Sequence, residues 1–149
     1  MTSAVSITLT RQANYKFLVD YGPGLPGGTL DEPAPLGGSE GPSPVQALVT
    51  AVAGCLSASF VFALAKFKED PGPVAIAATC SLARNEYNRM RVTGVDVTLK
   101  LGTPPQTLAH LQRALAQFED FCTVSQSIRA GIPYTLKVVA PDGEVVKAA

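Results

Sequence analysis

Few side chains in this sequence could carry covalent or metal chemistry. They are three cysteines, Cys55, Cys80 and Cys122, and a single histidine, His110. With no second histidine in the chain, His110 is a poor start for a metal site or a Cys–His pair, and it reads as an ordinary exposed residue on a helix. An odd number of cysteines without a CxxC pair fits neither a secreted disulfide framework nor a four-thiolate zinc site, and points to a reducing compartment. There is no GxSxG elbow and no Walker A loop. Gly22-Pro23-Gly24 and Gly37-Gly38 lack the strand–turn–helix setting of a dinucleotide fingerprint. Hydrolase and nucleotide readings fall away, and neither metal nor cofactor is expected. Cys80 falls on the apolar face of a strand and is explained as a small core residue. Cys55 sits in the middle of an apolar helix, where a free thiol is normally inert. Cys122 directly precedes a short helical turn, whose unpaired backbone N–H groups favour a thiolate. Two thiols in such unlike settings fit a peroxidatic and a resolving cysteine, although spacing alone does not bring them together.

The elements that must position these thiols follow from the hydrophobic pattern. Val5 to Thr10 alternates like a strand, and Tyr15 to Tyr21 is rich in β-formers, with Gln12-Ala13-Asn14 free to turn between them. From Gly22 to Pro44 the chain spends thirteen of its Gly and Pro residues, so neither a helix nor a central strand is expected there. Too little chain precedes this stretch to form a core, which makes it a long ordered loop rather than a linker. Ser43 as N-cap and Pro44 in the first turn then open a helix running from Val45 to about Lys68, which stops at Asp70-Pro71-Gly72-Pro73. Two alternating runs, Val74 to Ala83 and Val92 to Leu101, form a hairpin with a polar end. Pro104-Pro105 open a second helix, with Leu108, Leu111, Leu115 and Phe118 on one face. A short turn at Thr123 to Ile128 precedes a last strand pair, Tyr134 to Val139 and Val145-Val146, joined by Pro141-Asp142-Gly143. The order ββ-α-ββ-α-ββ is an α+β architecture in one domain spanning residues 1–149.

Charge bounds the partners. Twelve Lys or Arg balance twelve Asp or Glu, and charged residues make up only 16% of the chain against about 25% in an average protein. A neutral, apolar chain has no electrostatic footprint for nucleic acid or for an anionic membrane surface. No charged residue lies between Glu40 and Lys66, and apolar side chains cover every face of the helix in that gap, so it must be buried all round. The stretch is long enough to cross a bilayer. A core helix is the better reading: Gln46, Thr50, Ser57 and Ser59 dilute the run, no Trp or Tyr marks an interface, and strands surround it. The N-terminus has no signal sequence, so a soluble, cytoplasmic protein is expected.

Two groups of residues resemble one known family. Asp31-Glu32-Pro33, Gly37-Gly38 and Gly41-Pro42-Ser43-Pro44-Val45-Gln46-Ala47-Leu48, leading to Ala53-Gly54-Cys55, look like the first signature of the OsmC/Ohr superfamily of osmotically inducible and organic hydroperoxide resistance proteins. Phe121 to Ile128, followed by Ile132-Pro133-Tyr134, resembles its second cysteine motif. The likeness runs through nearly the whole chain in element order and is closest to the OsmC-like branch. The resemblance implies an intertwined homodimer with the long helices buried at its centre. It also implies a thiol peroxidase in which Cys55 is peroxidatic, Cys122 resolves it as a disulfide, and a dithiol reductant, lipoyl-type or other, reopens that bond. In the family an arginine stabilises the thiolate and a glutamate orients that arginine. Arg11 is the first candidate for the arginine and Arg129 the second. The glutamate falls about nine or ten residues before the first cysteine, where this chain has Gln46 and Val45. Gln46 keeps an amide oxygen that can accept from an arginine but brings no charge; Glu40, Asp31 or Glu32 could hold the arginine instead. The resulting expectation is reduction of organic hydroperoxides. The alternative is a catalytically weak dimer that binds a small ligand or senses thiol redox state.

Overall fold

The computed structural model describes residues 2–131, 137–139 and 145–148. Three antiparallel sheets and three helices follow one another. β1 (Thr8–Ala13), β2 (Lys16–Asp20) and β3 (Gly28–Leu30) form the first sheet in that order. After α1 (Pro44–Ala65) come β4 (Ala75–Arg84) and β5 (Met90–Lys100), paired along nearly their full length. Then follow α2 (Leu111–Gln117), α3 (Thr123–Arg129) and the pair β6 (Lys137–Val139) and β7 (Val145–Ala148). The α+β class matches the sequence reading, and the expected order is kept with β3 added before α1 and α3 formed as a helix of its own. The expected Ile132-Pro133-Tyr134 motif, the first residues of the strand expected from Tyr134, and the Pro141-Asp142-Gly143 turn lie outside the described residues.

The first sheet departs from expectation in two ways. The turn falls on Asn14-Tyr15, with Asn14 at φ 44°, the left-handed conformation that Asn tolerates better than most residues. Three residues of the Gly- and Pro-rich stretch, Gly28–Leu30, add an edge strand to β2. The rest of that stretch is ordered by one carboxylate. Buried Asp31 accepts the backbone N–H groups of Glu32 at 2.8 Å, Gly38 at 3.0 Å and Glu40 at 3.1 Å. The Glu40 N–H above all, then those of Gly38 and Glu32 and the nearby charge of Lys16, outweigh burial and hold this carboxyl below its ordinary pKa. Gly37 lies so close to the Glu32 carbonyl and the Asp31 carboxylate that a Cβ has no room. Gly37→Ala is therefore expected to cost about 1–3 kcal/mol, read as a lower urea midpoint at an unchanged m-value. A variant as stable as the parent would show that the loop can shift away at no cost.

α1 starts where its capping residues place it. The Gln46 N–H donates to Ser43 Oγ at 3.2 Å, and the Ser43 N–H donates to Gln46 Oε1 at 2.8 Å, a reciprocal capping box with Pro44 just inside. The helix is not buried all round within the chain, contrary to the sequence expectation. Val52, Ser59, Phe60, Ala63 and Leu64 are buried, while Leu48, Val61 and Phe62 are exposed, Phe62 by 54%. The buried face packs on β4, α2, α3 and the 3-10 turn Phe118–Phe121, and Phe60 meets Phe118 edge-on at 5.5 Å. Leu108, Leu111 and Ala114 complete this core.

The second helix begins later than its leucine spacing suggests, because Pro104-Pro105 lead into a 3-10 turn (Pro105–Thr107) and Leu108 is extended. Glu69, just after α1, anchors the true start. Its carboxylate accepts the His110 backbone N–H at 3.1 Å and lies 3.3 Å from His110 Nδ1. Burial raises the Glu69 pKa, but the hydrogen bonds to His110 and Ala109 outweigh it and the net shift is downward. The His110 ring stacks on Phe67 at 4.5 Å, and Arg113 covers Phe67 at 5.0 Å. His110 thus has a packing role and is half-buried rather than simply exposed.

Candidate functional site

The site grows from the meeting of α1 with α3. Cys55, Ser59 and Phe62 stand at i, i+4 and i+7 on α1 and share one stripe. Across from this stripe, Cys122 takes the N-cap position of α3, and its sulfur accepts the Ser125 backbone N–H at 3.4 Å. That is the local setting the sequence suggests for Cys122, and the thiol in it has no accessible surface. Burial alone would push the Cys122 pKa up. Hydrogen bonding from the Ser125 hydroxyl and N–H, and from the Cys55 and Ser59 side chains, outweighs burial and leaves it below the ordinary thiol value. Cys55 and Cys122 are therefore neighbours, although 66 residues separate them in sequence.

Cys55 is the more open of the two. With Ala58, Ser59, Phe62 and Phe121 it lines a shallow cleft of 330 Å³. Phe62 and Phe121 meet edge-on at 5.3 Å, and Lys66 Nζ lies 4.8 Å from the centroid of the Phe121 ring. The lining is mostly apolar and carries one thiol and the Ser59 hydroxyl, an arrangement suited to an oily molecule with one reactive polar group. On an adjacent face of α1, Val52 and Leu56 line a 280 Å³ cavity with residues of β4, β5 and α3, Ser125 among them.

The remaining candidates lie elsewhere. Arg11 Nε donates to the Asn14 carbonyl at 2.9 Å, so its guanidinium folds back on its own hairpin. Arg129 stands 3.5 Å from Glu119 at the 280 Å³ cavity and not at the cysteine cleft. The Gln46 amide oxygen is taken by the capping box, and nine residues of helix, about 14 Å, separate it from Cys55. Of the other carboxylates considered, Asp31 is engaged by three N–H groups and Glu40 pairs with Lys16 at 2.9 Å. Glu32 borders a separate cleft that also contains Gln46 and Cys80. Cys80 is half-buried on β4 and is not among the groups bonded to the other thiols. The sequence reading missed Ser59 and Ser125. Their signal was spacing: Ser59 is one helical turn from Cys55, and Ser125 is at the third position of the helix that Cys122 caps.

A family model described as OsmC-like protein matches residues 37–137, a span that includes Cys55, Cys122 and the first motif from Gly37 onward. No curated protein matches the chain. Among solved structures, an OsmC-like protein from Mycoplasma pneumoniae superposes with a TM-score of 0.70 at 14% identity, over 89% of this chain and 91% of that one. An OsmC-like protein of unknown function from Vibrio cholerae has a TM-score of 0.68 at 19% identity, over 85% and 94%. An organic hydroperoxide resistance protein, OsmC, from Legionella pneumophila has a TM-score of 0.66 at 18% identity, over 87% and 91%. At these identities the likeness is one of fold.

Proposed function

The chain belongs to the family of OsmC-like proteins, and on that premise we propose that it is a thiol-dependent peroxidase that reduces organic hydroperoxides to alcohols. A role in peroxide resistance or stress is the broader statement that the family and its hydroperoxide-resistance neighbour support. The observation that carries the finer one is the adjacency of Cys55, at the base of an apolar cleft, to Cys122, a buried thiol surrounded by hydrogen-bonding groups. In the proposed cycle the Cys55 thiolate attacks the outer oxygen of the hydroperoxide. The O–O bond breaks, the alkoxide leaves and takes up a proton, and Cys55 becomes a sulfenic acid. Cys122 then displaces hydroxide, released as water, and forms the Cys55–Cys122 disulfide. Arg11 is the proposed stabiliser of the Cys55 thiolate, with Arg129 the alternative, and the arginine is proposed to come from the second copy, because neither lines the cysteine cleft of its own chain. The protein is proposed to act as a one-domain homodimer in the cytoplasm, the second copy covering the open face of α1.

Disulfide mapping tests this. One equivalent of cumene hydroperoxide should remove two thiols per subunit and yield a Cys55–Cys122 peptide pair. Survival of both thiols, or a pair containing Cys80, would overturn the mechanism.

One observation favours the second reading, a ligand-binding or thiol-sensing dimer. The Gln46 amide oxygen and the Arg11 guanidinium are both occupied within the subunit. Gln46→Glu separates the two. Glutamate preserves the capping box and suits the helix N-terminus, so the peroxidase reading expects turnover within about threefold of the parent and a slightly more stable helix. A rise of more than about tenfold from a near-zero parent rate, at least 1.4 kcal/mol of transition-state stabilisation, would favour the sensor.

A further inference from the structure

The two thiols are unequal partners in the bond they are proposed to share. Cys55 borders an open cleft, whereas Cys122 has no accessible surface and its sulfur is held by the Ser125 N–H. Thiol–disulfide exchange is an in-line displacement. The incoming thiolate approaches one sulfur from behind, and the other sulfur departs with the electron pair, faster when its thiolate is stabilised. Taking the disulfide of the peroxidase reading as the starting state, we propose that the reducing dithiol attacks Sγ of Cys55 and expels Cys122 as the leaving thiolate, with Ser125 as the residue that positions it.

The step balances as follows. A bond forms between the reductant sulfur and Cys55 Sγ, the Cys55–Cys122 bond breaks, and its electron pair remains on Cys122. The second thiolate of the reductant then attacks the reductant sulfur already bound to Cys55, closing a disulfide within the reductant and releasing the Cys55 thiolate. Two electrons pass from the dithiol to the protein, and the two protons the dithiol loses are matched by those the two cysteines regain. Attack from the other side is blocked sterically, because the turn Phe118–Phe121, α3 and the buried face of α1 enclose Cys122. It is also disfavoured electronically. The hydrogen bonds that lower the Cys122 pKa stabilise this sulfur as a departing anion. The reductant is thereby required to present its thiol at the shallow cleft that Cys55 shares with Ala58, Ser59 and the paired rings of Phe62 and Phe121.

The test uses the full-length protein oxidised to the Cys55–Cys122 disulfide, prepared in parallel with cumene hydroperoxide and with diamide. One equivalent of a monothiol, 2-mercaptoethanol, is added, the mixture is quenched with N-ethylmaleimide, and the peptides are mapped. Mercaptoethanol on Cys55 and maleimide on Cys122 is the expected pattern. Mercaptoethanol mainly on Cys122 overturns the proposal. Ser125→Ala, which removes the hydroxyl bonded to the Cys122 sulfur and keeps the N–H, should slow reduction of the disulfide by a dithiol about three- to tenfold, the range for one ordinary lost hydrogen bond, and slow alcohol release in a single turnover by less. Ser125→Thr should restore the parent rate. Equal slowing of both half-reactions would make Ser125 merely structural and reject its positioning role. A disulfide that forms with diamide but not with hydroperoxide sinks the peroxidase reading while leaving the direction of attack measurable. If neither oxidant joins Cys55 to Cys122, both fall.

Discussion

Cys55→Ser is expected to lower hydroperoxide turnover at least about a thousandfold, because the hydroxyl that replaces the thiol is a far weaker nucleophile and cannot become a sulfenic acid. The substitution is nearly isosteric on a half-buried helix position, so the fold should persist and the loss should appear in kcat rather than in stability. Cys122→Ser should behave differently. It should release about one equivalent of alcohol per subunit and then stop, with a sulfenic acid on Cys55 that dimedone can trap. A Cys55→Ser protein that keeps a tenth of the parent rate would refute the assignment of the nucleophile, whatever the fate of Cys122.

Phe60→Ala is expected to cost about 3–5 kcal/mol, the range for removing a fully buried aromatic side chain. Phe60 has no exposed surface and packs edge-on against Phe118, at the junction of α1 with the segment that leads to Cys122. Equilibrium urea unfolding measures the loss as a lower midpoint with an unchanged slope. The same contact sets how α1 approaches the turn before α3, so disulfide formation should slow as well, although Phe60 lines no part of the cysteine cleft. A cost below about 1 kcal/mol would mean that the surrounding helices collapse into the space, and that the Phe60–Phe118 pair does not fix the spacing of the thiols.

Much of the architecture is legible in the sequence because its determinants are local. Ser43, Pro44 and Gln46 mark the start of α1 within one turn of chain. Alternation through Ile76, Ala78 and Cys80 and through Val95, Val97 and Leu99 marks the two long strands, and those residues are half-buried in the paired sheet. The alternation fails at Leu82, which is exposed where the register shifts, the extra residue, Thr93, lying on the partner strand β5. β3 has no side-chain pattern to read. It exists because the free backbone groups of β2 accept a partner, which glycine-rich chain can supply. The late start of α2 is similar, since Glu69, a residue 41 positions away, anchors its first N–H group. For the site, the N-cap setting of Cys122 follows from Cys122 and Ser125 alone. The meeting of Cys122 with Cys55 does not, because it depends on how α1 crosses the segment after α2, and no spacing in the sequence encodes that crossing. Resemblance to a family pointed to the pair where physics read from the chain could not.

The one-sided burial of α1 reaches beyond catalysis. The single chain displays Leu48, Val61 and Phe62 to water, together with Leu9 and Leu18 on the first sheet. Such a surface is sticky toward any apolar neighbour, its own copies included. Solubility of this chain is therefore expected to depend on that surface, and, in the proposed homodimer, on how quickly a second copy covers it. Overproduction outrunning its covering should send the protein to inclusion bodies, and a polar residue at position 62 should rescue yield at the expense of the cleft that Phe62 helps to wall.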